Sequence, residues 1–217
     1  THLMQGKEYD ELKETLDKHK ADFAKVALAE PLLGEVGKDA EEVNADKEQV
    51  ATLLVQAAVT DGGFDSVQKA GQEGAAFVFL GHGTSHTAAI TYSEMQTAMK
   101  KLGYANVFIG TVEGEPEETA VGAVIDAVKK GGYKKVTLRP MMVVAGDHAH
   151  NDMAGAEEDS WVQQFLNSKN FDRIETQIEG LGGVYDIQKL YAEHTQAAVN
   201  AANTAAEETT AAETKAN

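Results

Sequence analysis

The chain has 217 residues, of which 42% are hydrophobic and 25% charged, the make-up of a globular protein able to bury roughly 70% of its unfolded surface. Its formal charge of −16 argues against a nucleic-acid partner, since phosphate binding needs Lys/Arg surfaces, and favours attraction of cations. The absence of cysteine excludes disulfides, thiolate zinc sites and thiol nucleophiles, and no apolar run reaches the ~20 residues of a membrane span.

In chain order, a helix is predicted from about Lys7 to His19, with Leu12, Leu16 and Phe23 giving the segment an apolar side. Lys25–Leu28 is a short strand candidate stopped by Pro31 and Gly34. The polar, acidic stretch from Gly34 to Lys47 reads as an exposed loop or as the approach to a helix over Gln49–Val59. Asp61-Gly62-Gly63 breaks that helix, and Asp65–Gln72 reads as a short helix or connector.

From Gly74 the pattern becomes regular α/β alternation. A strand at Ala76–Leu80 precedes a helix from about Ser85 to Leu102. A second strand, Asn106–Thr111, precedes a helix from about Glu117 to Lys130, with Pro116 at a favoured helix start. A third strand begins near Lys135 and is interrupted by Pro140. An acidic, flexible stretch over Asp152–Ser160 leads to a helix at Trp161–Leu166. A strand at Arg173–Ile178 and a helix from Tyr185 to about Ala205 follow. The Ala/Thr/Glu-rich residues 206–217 are predicted to be a disordered tail. The expected organisation is α/β with two lobes: a remnant of a first lobe plus connector over 1–73, and a flavodoxin-like second lobe over 74–205.

Three strand-like runs in this region end in residues able to ligate a metal. Phe77–Leu80 leads into His82, Val107–Ile109 into Glu113, and Val136–Val144 into His148, each separated by about one βαβ unit. Parallel strands deliver such ends to one sheet edge, where ligands bind. Each residue alone also fits a blander role, a histidine packed at a strand end or a solvated glutamate. Gly83, Thr84, Ser85, His86, Gly146 and Asp147, which flank the two histidines, are candidate substrate contacts. Asp147 and Asp152 are placed either to orient an imidazole or to cap a helix. Gly81-x-Gly83 lacks the third glycine of a dinucleotide fingerprint, because His86 stands there. Lys100, Lys101, Lys129, Lys130, Lys134 and Lys135 fall on the opposite edge, which leaves the candidate site with an acidic rim. His19, His150 and His194 are assigned to the surface or to packing.

The runs Gly81-His82-Gly83-Thr84-Ser85-His86, Val112-Glu113-Gly114-Glu115-Pro116-Glu117 and Val143 to Met153 resemble the anaerobic sirohydrochlorin cobaltochelatases of the CbiK type. Asp159-Ser160-Trp161, Glu179-Gly180-Leu181-Gly182 and His2–Tyr9 are similar as well. The resemblance implies a two-lobed class II chelatase that inserts Co²⁺ into sirohydrochlorin in cobalamin biosynthesis, with Fe²⁺, Ni²⁺ or Zn²⁺ accepted in vitro. It implies His82, Glu113 and His148 as metal ligands, and His82 as general base with Glu113 as the alternative. A non-catalytic tetrapyrrole or metal carrier, and a ferrochelatase of the same class making sirohaem, are the competing readings. The family's first lobe begins with further strand–helix units before the segment matching His2, and Thr87 stands where relatives often carry another histidine. A separately supplied N-terminal segment or a homo-oligomer is therefore expected. Thr1 is not an initiator and no targeting signal is visible, so the expected compartment is the cytoplasm, with the periplasm as the alternative.

Overall fold

The computed structural model describes residues 2–216, with side chains through Thr204. Its centre is β1 (Ala75–Gly81), whose sequence Ala-Ala-Phe-Val-Phe-Leu-Gly is buried at every position. A continuous apolar run of this kind suits a strand covered on both faces. It pairs in parallel with β2 (Val107–Thr111) on one side and β3 (Lys135–Pro140) on the other. The shorter β4 (Arg173–Thr176) pairs with β3, giving the all-parallel order β2-β1-β3-β4. This is the α/β fold expected from the alternation.

Side chains of β1 alternate between two layers. Phe77 and Phe79 meet Leu54 and Ala58 of α2 (Ala45–Asp61), Met95 and Met99 of α4 (Ile90–Lys101), and Ile187 and Leu190 of α7 (Tyr185–Ala216). Val78 and Leu80 face Val124 and Val128 of α5 (Val121–Lys130), with Trp161 and Phe165 of α6 (Trp161–Asn167). Burying each of these large side chains stabilises the fold by roughly 1.5–3 kcal/mol before entropy is counted. Gly110 is what lets α6 approach, because a Cβ there would lie 2.4 Å from the Trp161 ring. α4 carries the chain from β1 out to β2, and α5 brings it back past β1 to β3. The connections diverge between β1 and β3, so the C-terminal ends of these two strands frame a crevice, the place where open α/β sheets bind ligands.

Several boundaries differ from the sequence reading for physical reasons. α1 (Lys7–His19) is as expected. α4 starts at Ile90 rather than near Ser85, because His86 Nδ1 accepts from Ala88 N–H and caps a single 3-10 turn, Thr87–Ala89. α5 likewise starts at Val121, after a 3-10 turn at Glu117–Thr119 and an extended Ala120. Lys25–Leu28 is not a strand: it lies outside every sheet of the described residues, held by a bond from Tyr9 Oη to Ala29 O. At the end of the stretch read as an exposed loop or as the approach to a helix, Lys47 is fully buried, 3.1 Å from the equally buried Glu94 Oε2. Lys47 also donates to the carbonyls of Leu33 and Glu35, so the charge is matched inside the core.

The residues on either side of position 73 share one core. Leu32 and Leu33, α2, and Val67 and Ala70 of α3 (Val67–Gln72) pack with Phe77 and Phe79. Leu32 and Leu33 also bond to the carbonyls of His2 and Leu3, which ties the N-terminal segment to this layer. At the other end, α7 runs on to Ala216, through most of the stretch expected as a disordered tail. Its Ala and Glu content favours helix. Asn217 lies outside the described residues.

Candidate metal centre

His82 follows β1 directly, and Glu113 follows β2. His148 opens a π-helical turn, His148–Met153, in the connection after β3. Gly81 makes the first placement possible: a Cβ there would lie 2.1 Å from Cε1 of Tyr92, whose ring packs against the strand end. Gly83 then adopts φ +96°, a conformation that favours glycine, as the chain turns beside Glu113. Backbone bonds from Val112 N to Gly81 O and from Glu113 N to His82 O hold the two loops side by side.

The two imidazoles meet, with His82 Nε2 3.0 Å from His148 Nε2 and the rings nearly perpendicular at 83°. Their other nitrogens face only acceptors. His148 Nδ1 lies 2.5 Å from Asp152 Oδ2. His82 Nδ1 lies 3.0 Å from Gly83 O and 3.6 Å from Glu113 Oε1. A neutral imidazole carries one N–H, and these surroundings favour it on Nδ1 in both rings. With Nδ1 carrying the proton in both rings, both Nε2 lone pairs are free to ligate a cation; with Nε2–H on either ring, the 3.0 Å contact is an N–H···N hydrogen bond. Metal–nitrogen bonds of about 2.1 Å at right angles put two ligand atoms about 3.0 Å apart. The 3.0 Å spacing is also one that two adjacent ligands of a single ion can have.

Glu113 does not share that point. It approaches Nδ1 of His82, on the side of the ring away from His148. No cluster of three His, Asp or Glu able to hold a metal is assembled among the described residues. The trio expected from the sequence is thus an imidazole pair with a carboxylate alongside.

A cavity of about 590 Å³ opens beside His82 and Glu113. One wall is Leu3, Met4, Met141, Met142 and Val143; the other includes Thr84, Ser85, Tyr92 and the first turn of α1. Its volume falls within the range of small-molecule sites. Of the candidate substrate contacts, Gly83, Thr84 and Ser85 line it. His86 does not: its Nε2 faces Asp10 of α1 at 3.4 Å and its Nδ1 caps the 3-10 turn. Gly146 and Asp147 are also outside the lining; Gly146 O receives the N–H groups of Ala149 and His150 and the ring of His150.

Most of the chain is matched by known proteins. A profile of the cobalt chelatase (CbiK) family covers residues 1–200. The chain belongs to the cobalt chelatase family. Among its relatives, the sirohydrochlorin cobaltochelatase of Salmonella typhimurium is 29% identical over 201 residues, covering 93% of this chain and 67% of the relative. The sirohydrochlorin cobaltochelatase CbiKC of Nitratidesulfovibrio vulgaris is 28% identical over 162 residues, covering 74% of this chain and 50% of the relative. The chain thus spans between half and two thirds of the length of these two relatives.

In this cobalt chelatase family member the charge layout follows the topology. Lys100 and Lys101 end α4, and Lys129 and Lys130 end α5, on the edge away from the histidines. Glu115, Glu117, Glu157, Glu158 and Asp159 are exposed in the loops on the histidine side, a rim that concentrates cations. His19 and His150 are exposed, and His194 packs against Asp46 and Glu30 O, away from the pair. Sequence reasoning missed Tyr92. It is one more apolar-face position in a helix, and only the close approach to Gly81 reveals where its hydroxyl goes. No helix among the described residues is long and apolar enough to cross a membrane.

Proposed function

We propose that the chain inserts Co²⁺ into sirohydrochlorin, the reaction for which its Salmonella typhimurium and Nitratidesulfovibrio vulgaris relatives are named. The observation that carries this reading is the pair of Nε2 atoms 3.0 Å apart beside the cavity, with an acceptor at each outer nitrogen. Co²⁺ is the substrate metal. Neutral imidazoles bind it without the grip of a thiolate, which suits an ion that must leave again. The macrocycle occupies the adjoining cavity, beside His82 and Glu113.

Insertion replaces two pyrrole N–H bonds with metal–nitrogen bonds, and two protons must go elsewhere. While His82 ligates through Nε2 and donates from Nδ1, it has no lone pair to accept a proton. The Glu113 carboxylate, half exposed and lining the cavity, does. We therefore assign the first proton to Glu113. His82 takes the second once the ion has left its Nε2.

The test is an anaerobic assay of the purified chain with Co²⁺ and sirohydrochlorin, following the absorbance change on metallation. Acceleration over the uncatalysed reaction is expected, with His82→Ala and His148→Ala each losing most of it at limiting Co²⁺. Full activity in both variants would refute the site. Tight tetrapyrrole binding without acceleration would make the chain a carrier, and faster insertion of Fe²⁺ than of Co²⁺ would make it a ferrochelatase.

A further inference from the structure

Tyr92 is 2% exposed, yet it lines the cavity beside the imidazole pair. Its hydroxyl oxygen accepts the N–H of Gly83 at 3.1 Å. Its own proton has no acceptor within hydrogen-bond reach among the described residues, although a buried hydroxyl normally finds one. A phenolic hydroxyl is neutral at ordinary pH and so has a proton to donate. The start of α1 borders the same space. The N-cap of α1 is Gly6, with no side-chain cap, so the first-turn N–H groups of that helix lack such a partner. Gly6, Lys7 and Glu8 line the same cavity.

We propose that Tyr92 is a substrate-binding residue whose hydroxyl donates to a peripheral carboxylate of the bound tetrapyrrole, at a subsite completed by the uncapped first turn of α1. The inference rests on the chelatase reading above and adds to it the place where the macrocycle is anchored. A donor fixed to the loop that carries His82 couples the position of the macrocycle to that of the metal. The Tyr92 hydroxyl also supports that loop by accepting the N–H of Gly83, so a purely structural role has to be told apart from binding.

Tyr92→Phe keeps the ring against Gly81 and deletes the hydroxyl together with the bond it accepts from Gly83 N–H; the Co²⁺ affinity reads any effect of that loss on the His82 loop. Two quantities are measured on the full chain: the dissociation constant for Co²⁺ alone, from its visible absorbance, and the dissociation constant for metal-free sirohydrochlorin, from fluorescence. The expected result is a loss of tetrapyrrole affinity of about 10- to 100-fold, the range for a hydrogen bond to a charged acceptor, with Co²⁺ affinity within about twofold of wild type. The loss should shrink when the peripheral carboxylates of the ligand are esterified. Unchanged sirohydrochlorin affinity, an equal loss of Co²⁺ affinity, or a loss that persists in full on the ester would each overturn the assignment. If the wild-type chain binds sirohydrochlorin but does not metallate it, the catalytic reading fails while this subsite stands; if it binds none, both fall.

Discussion

Asp152 offers the sharpest test of how the imidazole pair works. Its carboxylate lies 2.5 Å from Nδ1 of His148, a charge-assisted contact that fixes both the ring and its tautomer. Asp152→Ala removes that acceptor and lets the proton move to Nε2, where it blocks ligation. Loss of an outer partner of this kind lowers metal affinity roughly 10- to 100-fold, about 1.4–2.7 kcal/mol. Asp152→Asn keeps one acceptor oxygen without the charge, so its affinity should fall between wild type and alanine. Both side chains are about half exposed, so the fold should hardly notice. Co²⁺ titration followed by visible absorbance, with thermal unfolding alongside, reads the two effects separately. Wild-type Co²⁺ affinity in Asp152→Ala would refute the argument that the tautomer is set from outside the pair.

Three further outcomes follow from the packing. Lys47→Met leaves the Glu94 carboxylate buried without its ion-pair partner and should cost about 3–5 kcal/mol in urea unfolding, with Lys47→Met/Glu94→Leu recovering most of it. Gln96 covers the free edge of β2, its amide donating to Val107 O and accepting from Ile109 N; Gln96→Ala should cost about 1–3 kcal/mol and produce concentration-dependent association in sedimentation. Burial holds Tyr191 at a pKa of about 12 against its ordinary 10.0, so its contribution to stability is complete below pH 10 and is lost as pH rises through 12. The alkaline slope of the melting temperature should therefore be shallower in Tyr191→Phe. Equal slopes in the two proteins would contradict this.

The features legible in the sequence were those written as local patterns. The all-apolar run Ala75–Leu80 specified a strand covered on both faces, and its spacing from the runs before Glu113 and His148 specified parallel strands with a shared edge. The helix starts were less legible, because His86 and Glu117 to Thr119 spend a turn in 3-10 geometry that helical periodicity does not register. The burial of Lys47 was not legible for a different reason. A lysine next to acidic residues reads as solvated, and its partner Glu94 lies on another helix, far along the chain. The histidines were found because they sit at strand ends. That they face each other through Nε2, with Glu113 on the opposite side of one ring, depends on rotamers and hydrogen-bond partners that no spacing encodes.

The offset position of Glu113 bears directly on mechanism. A site with all three groups closed around Co²⁺ would add a negative charge to two neutral ligands and hold the ion more tightly against release. With the carboxylate at the outer nitrogen of His82, the proposed mechanism would hold the ion by the two imidazoles alone. In that mechanism Glu113 would stay free to take a pyrrole proton while its charge favours a cation nearby. Both functions come from one switch point in the sheet: β1 supplies His82, and the connection after β3 supplies His148. β2, on the far side of β1, brings Glu113 alongside rather than between them.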